Sequence, residues 1–406
     1  MLQRKQMKYQ IINGNNIDVL KTFPDDHFDS IVTDPPYGID FLGKAWDANT
    51  GALETYQQCL RVLKPGGHIL AFSAARTYHH LAVTLEQAGF EIRDQIMWIY
   101  SSGFPKSQDV GKSIQRGLGV KEKKALPKEQ QTSTAGFAKN GAQEQSAWSG
   151  ETTVCTDPEA VEWQGWGTAL KPAHEPIALA RKPFKGSIKD NVLKLGVGAL
   201  NIDATRVPYA SEQDKNAIDH KVPTAAWSGH TIQVDSYEKG EFIKVETNEL
   251  GRFPSNVLGE IAEPYQKYFY CPKVSRRERN IGCIDPGPQF QVPSGFDYRM
   301  PSSNNANNGE SQIGIVEKNA NNGSNNHPTV KPIELMKYLI KLVTPPRGLV
   351  LDPFNGSGST GCAAVELGCE YVGIELDAKY VEIATKRIAA WNKEETNFKE
   401  LFTECL

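Results

Sequence analysis

Leu349-Val350-Leu351-Asp352-Pro353-Phe354-Asn355-Gly356-Ser357-Gly358-Ser359-Thr360-Gly361 is the stretch that decides the fold. Leu349 to Leu351 reads as a short buried strand and Thr360 to Leu367 as a helix. The glycines between them let a backbone approach a ligand closely, and Gly356 to Gly361 fits G-x-G-x-x-G. Tyr371 to Ile374 reads as the next strand and ends on Glu375, an acid placed to grip two ribose hydroxyls. Strand, glycine loop, helix, strand and acid make a βαβ unit of a parallel sheet. Taken alone, the loop serves an NAD-dependent enzyme as well, or is only a strand-to-helix turn. Asp352-Pro353-Phe354 tilts the reading, because a dinucleotide loop must hug a pyrophosphate and is poorly served by Asp-Pro. S-adenosylmethionine has no phosphate and carries an ammonium and a sulfonium, so an acid at the strand end suits it.

The same rhythm extends outward. Pro332 can open a helix that carries Ile333, Met336, Ile340 and Val343 at helical spacing. Asp377 can cap a final helix with Tyr380, Ile383, Ala384 and Ile388. Near the start, Asp29 to Thr33 reads as a strand, Thr55 to Leu63 as a helix, Pro65-Gly66-Gly67 as a turn and Ile69 to Phe72 as a strand. Tyr78 to Gln87 reads as a helix and Glu91 to Tyr100 as a long strand. From Gly103 to Asn326 the rhythm breaks. Residues 106 to 130 are polar and basic, Thr132 to Ser149 is rich in small polar residues, and Met300 to Asn326 is Asn-rich. Glu175 to Ala180 is the one clear strand in this middle region.

Asp34-Pro35-Pro36-Tyr37 follows the strand Asp29 to Thr33, at the end of a strand where α/β sites sit. An aromatic amine is a poor nucleophile, because its lone pair is delocalised into the ring. A carboxylate and a backbone carbonyl that accept its N–H groups pull the nitrogen toward tetrahedral geometry. Asp34 and the Pro35 carbonyl suit that task, the prolines stiffen the turn, and Tyr37 can stack on a base. A base has to leave the duplex to reach such a pocket. The ordinary alternative is a stiff turn after a strand.

The 406 residues carry a formal net charge of -3, so any nucleic-acid surface must be a local basic patch. The seven cysteines include no Cys-x-x-Cys pair, and neither a disulfide framework nor a zinc site is expected. A polar start and no long apolar run point to a soluble protein of a reducing compartment.

With the tetrapeptide early and the glycine loop late, the chain resembles DNA amino-methyltransferases of the beta group. The resemblance covers Ile12 to about Ser107 and His327 to Ile388. Trp166 to Pro176, Phe269 to Lys273 and Arg276 to Arg279 resemble segments of phage- and prophage-associated members. It implies a Rossmann-like sheet with a final antiparallel strand, a circularly permuted motif order and a large inserted target-recognition region. The expected organisation is a catalytic half over 8–105, a flexible basic insertion over 106–160 and a return to the core over 161–185. A target-recognition region over 186–326, a cofactor-binding half over 327–392 and a tail over 393–406 follow.

The resemblance further implies that Asp34, Pro35, Pro36 and Tyr37 are catalytic. His327, Thr329 and Lys331 close over the methionine end of S-adenosylmethionine, and Asp352, Phe354, Asn355, Gly356, Gly358, Ser359 and Thr360 form the loop beneath it. Glu375 takes the ribose. Where the family has Gly-Asp, this chain has Gly14-Asn15, so Asn15 and Asp18 are the candidates near the cofactor's adenine. The implied partner is double-stranded DNA, with a homodimer and a cognate restriction endonuclease of a restriction-modification pair as further candidates. No membrane is involved, and the setting is bacterial or phage-encoded and cytoplasmic.

Candidate DNA contacts are Trp46, Lys106, Arg181, Lys182, Lys273, Arg276 and Arg277, although a solvated charged face is the ordinary reading of such runs. Trp163, Trp166 and Trp227 could stack on DNA or pack in a core. The expected reaction is methyl transfer to adenine N6. Cytosine N4 is the rival, because the same pocket logic applies, but such enzymes more often carry Ser in the position of Asp34, which favours adenine. Cytosine C5 transfer needs a Pro-Cys nucleophile, which is absent. A catalytically silent DNA-binding remnant is the non-enzymatic alternative.

Overall fold

The structure is a computed structural model that describes residues 9–39, 50–100, 107–119, 123–125, 151–216, 221–223, 242–244, 248–259, 278, 281–282 and 330–403. It divides into one compact unit of Met1–Ile99 with His174–Leu406, and a second of Tyr100–Ala173.

The first unit is built on an eight-stranded sheet. In chain order its first half holds β1 (Tyr9–Asn13), α1 (Asn16–Leu20), β2 (Phe28–Thr33), α2 (Leu53–Val62), β3 (Leu63–Phe72), α3 (Tyr78–Ala88) and β4 (Glu91–Ile99). The second unit contains α4 (Val110–Gly117), β5 (Lys123–Ala125), β6 (Glu151–Thr153) and α5 (Pro158–Glu162). The chain then returns through β7 (His174–Arg181), α6 (Ile188–Leu195), α7 (Glu212–Asn216), β8 (Lys221–Pro223), β9 (Phe242–Lys244) and β10 (Val257–Gly259). It closes with α8 (Ile333–Val343), β11 (Leu349–Asp352), α9 (Ser359–Glu366), β12 (Glu370–Glu375) and α10 (Ala378–Thr403).

The strand order is β1-β12-β11-β2-β3-β7-β4-β10. Every pair is parallel except those of β7, which runs antiparallel between β3 and β4. This is a Rossmann-like sheet with one reversed strand. From β11 the chain winds outward to β12 on one side, and from β2 to β3 on the other. The winding direction therefore reverses between β11 and β2, where crevices open at the carboxyl ends of the strands.

The period-2 alternation of the strands loads both faces. Ile31, Ile69 and Ala71 pack with Leu20, Tyr56, Cys59, Leu81 and Leu85, under α1, α2 and α3. Val32, Leu70 and Phe72 pack with α8, α9 and Ile388 of α10 on the other face. With both faces covered, all six residues of β2 are buried, polar Asp29, Ser30 and Thr33 included.

Most expected elements form within two residues of their expected bounds, and Asp377 caps α10 by accepting the Lys379 N–H at 2.8 Å. Three readings differ. Pro65-Gly66-Gly67 lies inside the β3 run, because Gly66 donates to the Lys182 carbonyl and Lys182 donates to that of Gly67. Gly66 has φ +83°, and a Cβ there would meet Asn191 Nδ2 at 2.3 Å, so the kink requires glycine. Pro332 is the N-cap of α8, with ψ 131°, and does not occupy the first helical turn. The last helix also continues past 392 to Thr403.

In the second unit, buried Gln115 ties α4 to the start of α5. Its amide donates to Thr156 Oγ1 at 3.0 Å, and its oxygen accepts from the Thr156 and Asp157 N–H groups at 3.1 Å each. Trp163 and Trp166 meet edge-on at 5.3 Å and are exposed rather than in a core.

Candidate active site

β11 pairs with β2 through Val350–Ser30 and Leu351–Ile31, so Asp352 and Thr33 end side by side. Thr33 Oγ1 donates to Asp352 Oδ1 at 2.6 Å and Thr360 Oγ1 to Oδ2 at 2.7 Å. The Phe354 N–H adds a third bond at 3.1 Å. Asp352 is only 2% exposed, and burial pushes its carboxyl up to about 6 against the pull of those three donors. Both of its oxygens therefore hold the loop and its neighbouring strand together.

The glycine loop leaves β11 and opens α9. Gly358, at φ +79°, is the N-cap of α9, and a Cβ there would lie 3.0 Å from Ala384 of α10. Asn355 accepts a bond from buried Tyr371 at 2.6 Å. Ser359 and Thr360 are buried at the head of α9. Glu375, at the end of β12, accepts the Gly356 N–H at 2.8 Å and the Asp377 N–H at 2.9 Å, and burial holds its carboxyl above the usual range. Loop and acid thus share one rim.

The segment after β1 borders that rim. Asn13 Nδ2 donates to the carbonyls of Glu375 and Leu376, at 2.9 Å each, and Asn16 Nδ2 to that of Pro353 at 3.2 Å. Asn15 caps α1 by accepting the Ile17 N–H, and Asp18 is exposed in the first turn of α1.

On the other side of β11, Asp34-Pro35-Pro36-Tyr37 leaves β2. Tyr37 Oη lies 2.8 Å from Asp34 Oδ1 and 2.9 Å from Glu175 Oε2. Lys331 Nζ donates to Asp34 Oδ2 at 2.8 Å and to Tyr37 Oη at 2.9 Å, and pairs with Glu175 Oε2 at 3.2 Å. It also faces the rings of Phe72 and Tyr37, at 5.0 and 5.3 Å. Burial disfavours the Lys331 charge, but the carboxylates of Asp34 and Glu175 outweigh it and keep its proton well above the ordinary lysine range. Burial, reinforced by Asp34 and Glu175, likewise holds the Tyr37 phenol well above its usual range. The group is a neutral phenol with one fixed cation and two carboxylates.

Asp34, Tyr37, the glycine loop and Glu375 are therefore brought to one edge of the sheet. Lys331, expected over the cofactor, has its ammonium on Asp34 and Tyr37. Glu175, read from the sequence only as the start of a strand, joins this group through Tyr37 and Lys331.

Arg181 and Lys182, expected at DNA, form ion pairs at the other end of the strands. Because β7 is antiparallel, Glu175 lies level with the carboxyl end of β3, whereas Arg181 lies level with His68 and Glu91 at the opposite edge. There Arg181 pairs with Glu91 at 2.7 Å, and Lys182 with Asp26 at 2.6 Å and with the Leu63 carbonyl at 2.7 Å. Both hold the sheet's far edge and are remote from the tetrapeptide. His327, Thr329, Trp46, Lys106, Lys273, Arg276, Arg277 and Trp227 lie outside the described residues.

A further buried link supports the loop. Arg387 of α10, fully buried, donates to the carbonyl and Oγ of Ser357 and to the carbonyl of Glu278. The Glu278 carboxylate accepts the first N–H of α8, from Ile333.

Several known proteins match this chain. M.HindIII, a type II methyltransferase of Haemophilus influenzae (strain ATCC 51907 / DSM 11121 / KW20 / Rd), is 22% identical over 93% of this chain and 94% of its own length. A protein named "Putative methylase YubD" of Escherichia coli (strain K12) is 47% identical over 68 residues, which span 17% of this chain and only 30% of that protein. Among solved structures, PvuII DNA methyltransferase (cytosine-N4-specific) matches with TM-score 0.40 at 12% identity, over 96% of this chain and 93% of that one. A DNA methylase family model that spans N6 and N4 enzymes matches residues 28–386, and the chain belongs to that N6/N4 DNA methylase family.

Proposed function

We propose that this chain methylates N6 of adenine in double-stranded DNA, on a base turned out of the helix, with S-adenosylmethionine as donor. The observation that carries the reading is a carboxylate, Asp34, at the carboxyl end of β2 and one strand from the glycine loop of β11. The residues at that rim fit the cofactor. A side-chain-poor loop, the Glu375 carboxylate for a ribose diol, half-buried Phe354 and 69%-exposed Leu376 for an adenine face lie together. Glu375, Gly356, Gly358 and the Asn13 to Asn16 segment would hold it; when bound, it supplies a methyl group activated by a sulfonium.

The protein's own part is orientation and hydrogen bonding. Asp34 and the Pro35 carbonyl accept the two amino hydrogens of the target, which localises the nitrogen lone pair. Asp34, rather than Ser, in the first position supports adenine over cytosine. Tyr37 offers a ring face to the base, while its hydroxyl is anchored to Asp34 and Glu175. The cation of Lys331 keeps the two carboxylates close together without mutual repulsion. A homodimer and a restriction endonuclease partner rest on the family resemblance.

Unmethylated duplex DNA incubated with radiolabelled S-adenosylmethionine, then digested to nucleosides, tests the reading. The expected product is N6-methyldeoxyadenosine, and Asp34→Ala should lower its rate by about 10²-fold or more while cofactor binding persists. Label in N4-methyldeoxycytidine, or an undiminished rate in the variant, would overturn it.

A further inference from the structure

We infer that Glu175 is a positioning residue: it is a second station for the Lys331 ammonium and the Tyr37 hydroxyl, and so frees Asp34 to receive the target amino group. The inference rests on the role of Asp34 given above.

The hydrogen-bond count motivates it. Lys331 has three N–H groups and meets three acceptors, Asp34 Oδ2, Tyr37 Oη and Glu175 Oε2. Tyr37 has one hydroxyl proton and two carboxylates in reach, Asp34 at 2.8 Å and Glu175 at 2.9 Å, so it serves them in turn. An amino group that approaches Asp34 meets a carboxylate already bonded to an ammonium, which is a stronger donor than a neutral amine. If Lys331 had Asp34 as its sole counter-charge, releasing it would strand a cation that is only 6% exposed. Glu175 removes that obstacle. A short move exchanges one carboxylate for the other, and the Phe72 and Tyr37 rings keep the ammonium within cation–π range throughout. The Tyr37 proton can turn to the same oxygen, Glu175 Oε2. No bond is made or broken in this exchange; only hydrogen-bond partners change.

The sheet explains how a residue from the middle of the chain arrives here. β7 enters between β3 and β4 in the reverse direction, and the Ser73 N–H donates to the Pro176 carbonyl at 2.9 Å. That register fixes Glu175 beside the residues that follow β2.

The test uses the full chain, amplified unmethylated genomic DNA and S-adenosylmethionine under enzyme excess. Glu175→Gln keeps the size and an acceptor oxygen but removes the charge. It should slow methyl transfer about tenfold or more, while the dissociation constants for cofactor and for DNA, measured separately, stay within about twofold. Glu175→Asp should recover part of the rate. In a Lys331→Met background, Glu175→Gln should cost much less, because no ammonium is left to relocate. A wild-type rate in Glu175→Gln, an equal loss in both backgrounds, or a loss accounted for by weaker binding would each overturn the inference. If Lys331→Met does not fold, Glu175→Asp decides: partial recovery supports the exchange and none refutes it. Failure of the Asp34 reading looks different, because then the wild type itself yields no methylated amine or Asp34→Ala retains its rate.

Discussion

Asp352→Asn should make the protein more stable at neutral pH and leave it unchanged near pH 4. Asp352 is 2% exposed, and its three hydrogen-bond donors, the Thr33 and Thr360 hydroxyls and the Phe354 N–H, are all neutral. Burial raises its carboxyl from 3.8 to about 6 in the folded protein. A raised acid favours its protonated form on folding. The stability it contributes is therefore complete below pH 3.8 and is lost as the pH rises through 6. The difference of about 2.2 pH units corresponds to about 3 kcal/mol of stability surrendered by pH 7.5. Asparagine has no charge to desolvate. Its oxygen can keep the bonds from Thr33 and Phe354, and its amide can donate to Thr360 Oγ1. The variant's advantage should grow from near zero at pH 4 to about 3 kcal/mol at pH 7.5, which is several degrees of melting temperature. Thermal unfolding of both proteins across that range measures it. An advantage that does not change with pH, or one that shrinks above pH 6, would refute the assignment of the cost to a desolvated carboxylate. A buried acid kept at this expense in the strand-end turn fits a site selected for binding rather than for stability.

Two other variants probe the same rim. Glu375→Ala removes the acceptor of the Gly356 and Asp377 N–H groups and the proposed diol ligand, and calorimetry should show S-adenosylmethionine binding weakened about 10- to 100-fold. Affinity within twofold of wild type would exclude Glu375 from the cofactor site. Arg387→Met leaves the carbonyls of Ser357 and Glu278 without their buried donor and should cost about 2–3 kcal/mol in urea unfolding, with faster proteolysis at the glycine loop. Unchanged unfolding and proteolysis would show that the loop does not depend on this link.

The sequence alone determined the elements and the chemistry at their ends. Period-2 and period-3.6 apolar spacing, Asp377 as a cap and the glycine run are local signals, because strand, helix and turn preferences act over a few neighbouring residues. They placed Asp34 and the loop before Gly358 at strand ends. Tertiary structure decided which strand ends meet. β11 lies against β2, so Thr33 bonds Asp352 across 319 positions of chain. The resemblance implied a final antiparallel strand, whereas the reversed strand, β7, lies inside the sheet between β3 and β4, and that place has the largest consequence. It carries Glu175 to the edge that holds Asp34 and sends Arg181 to the far one, although both lie on one strand. Side-chain contacts across a sheet depend on strand order and register, which are set by packing two faces of the whole domain, and no window of sequence around Glu175, Lys331 or Arg181 contains that information.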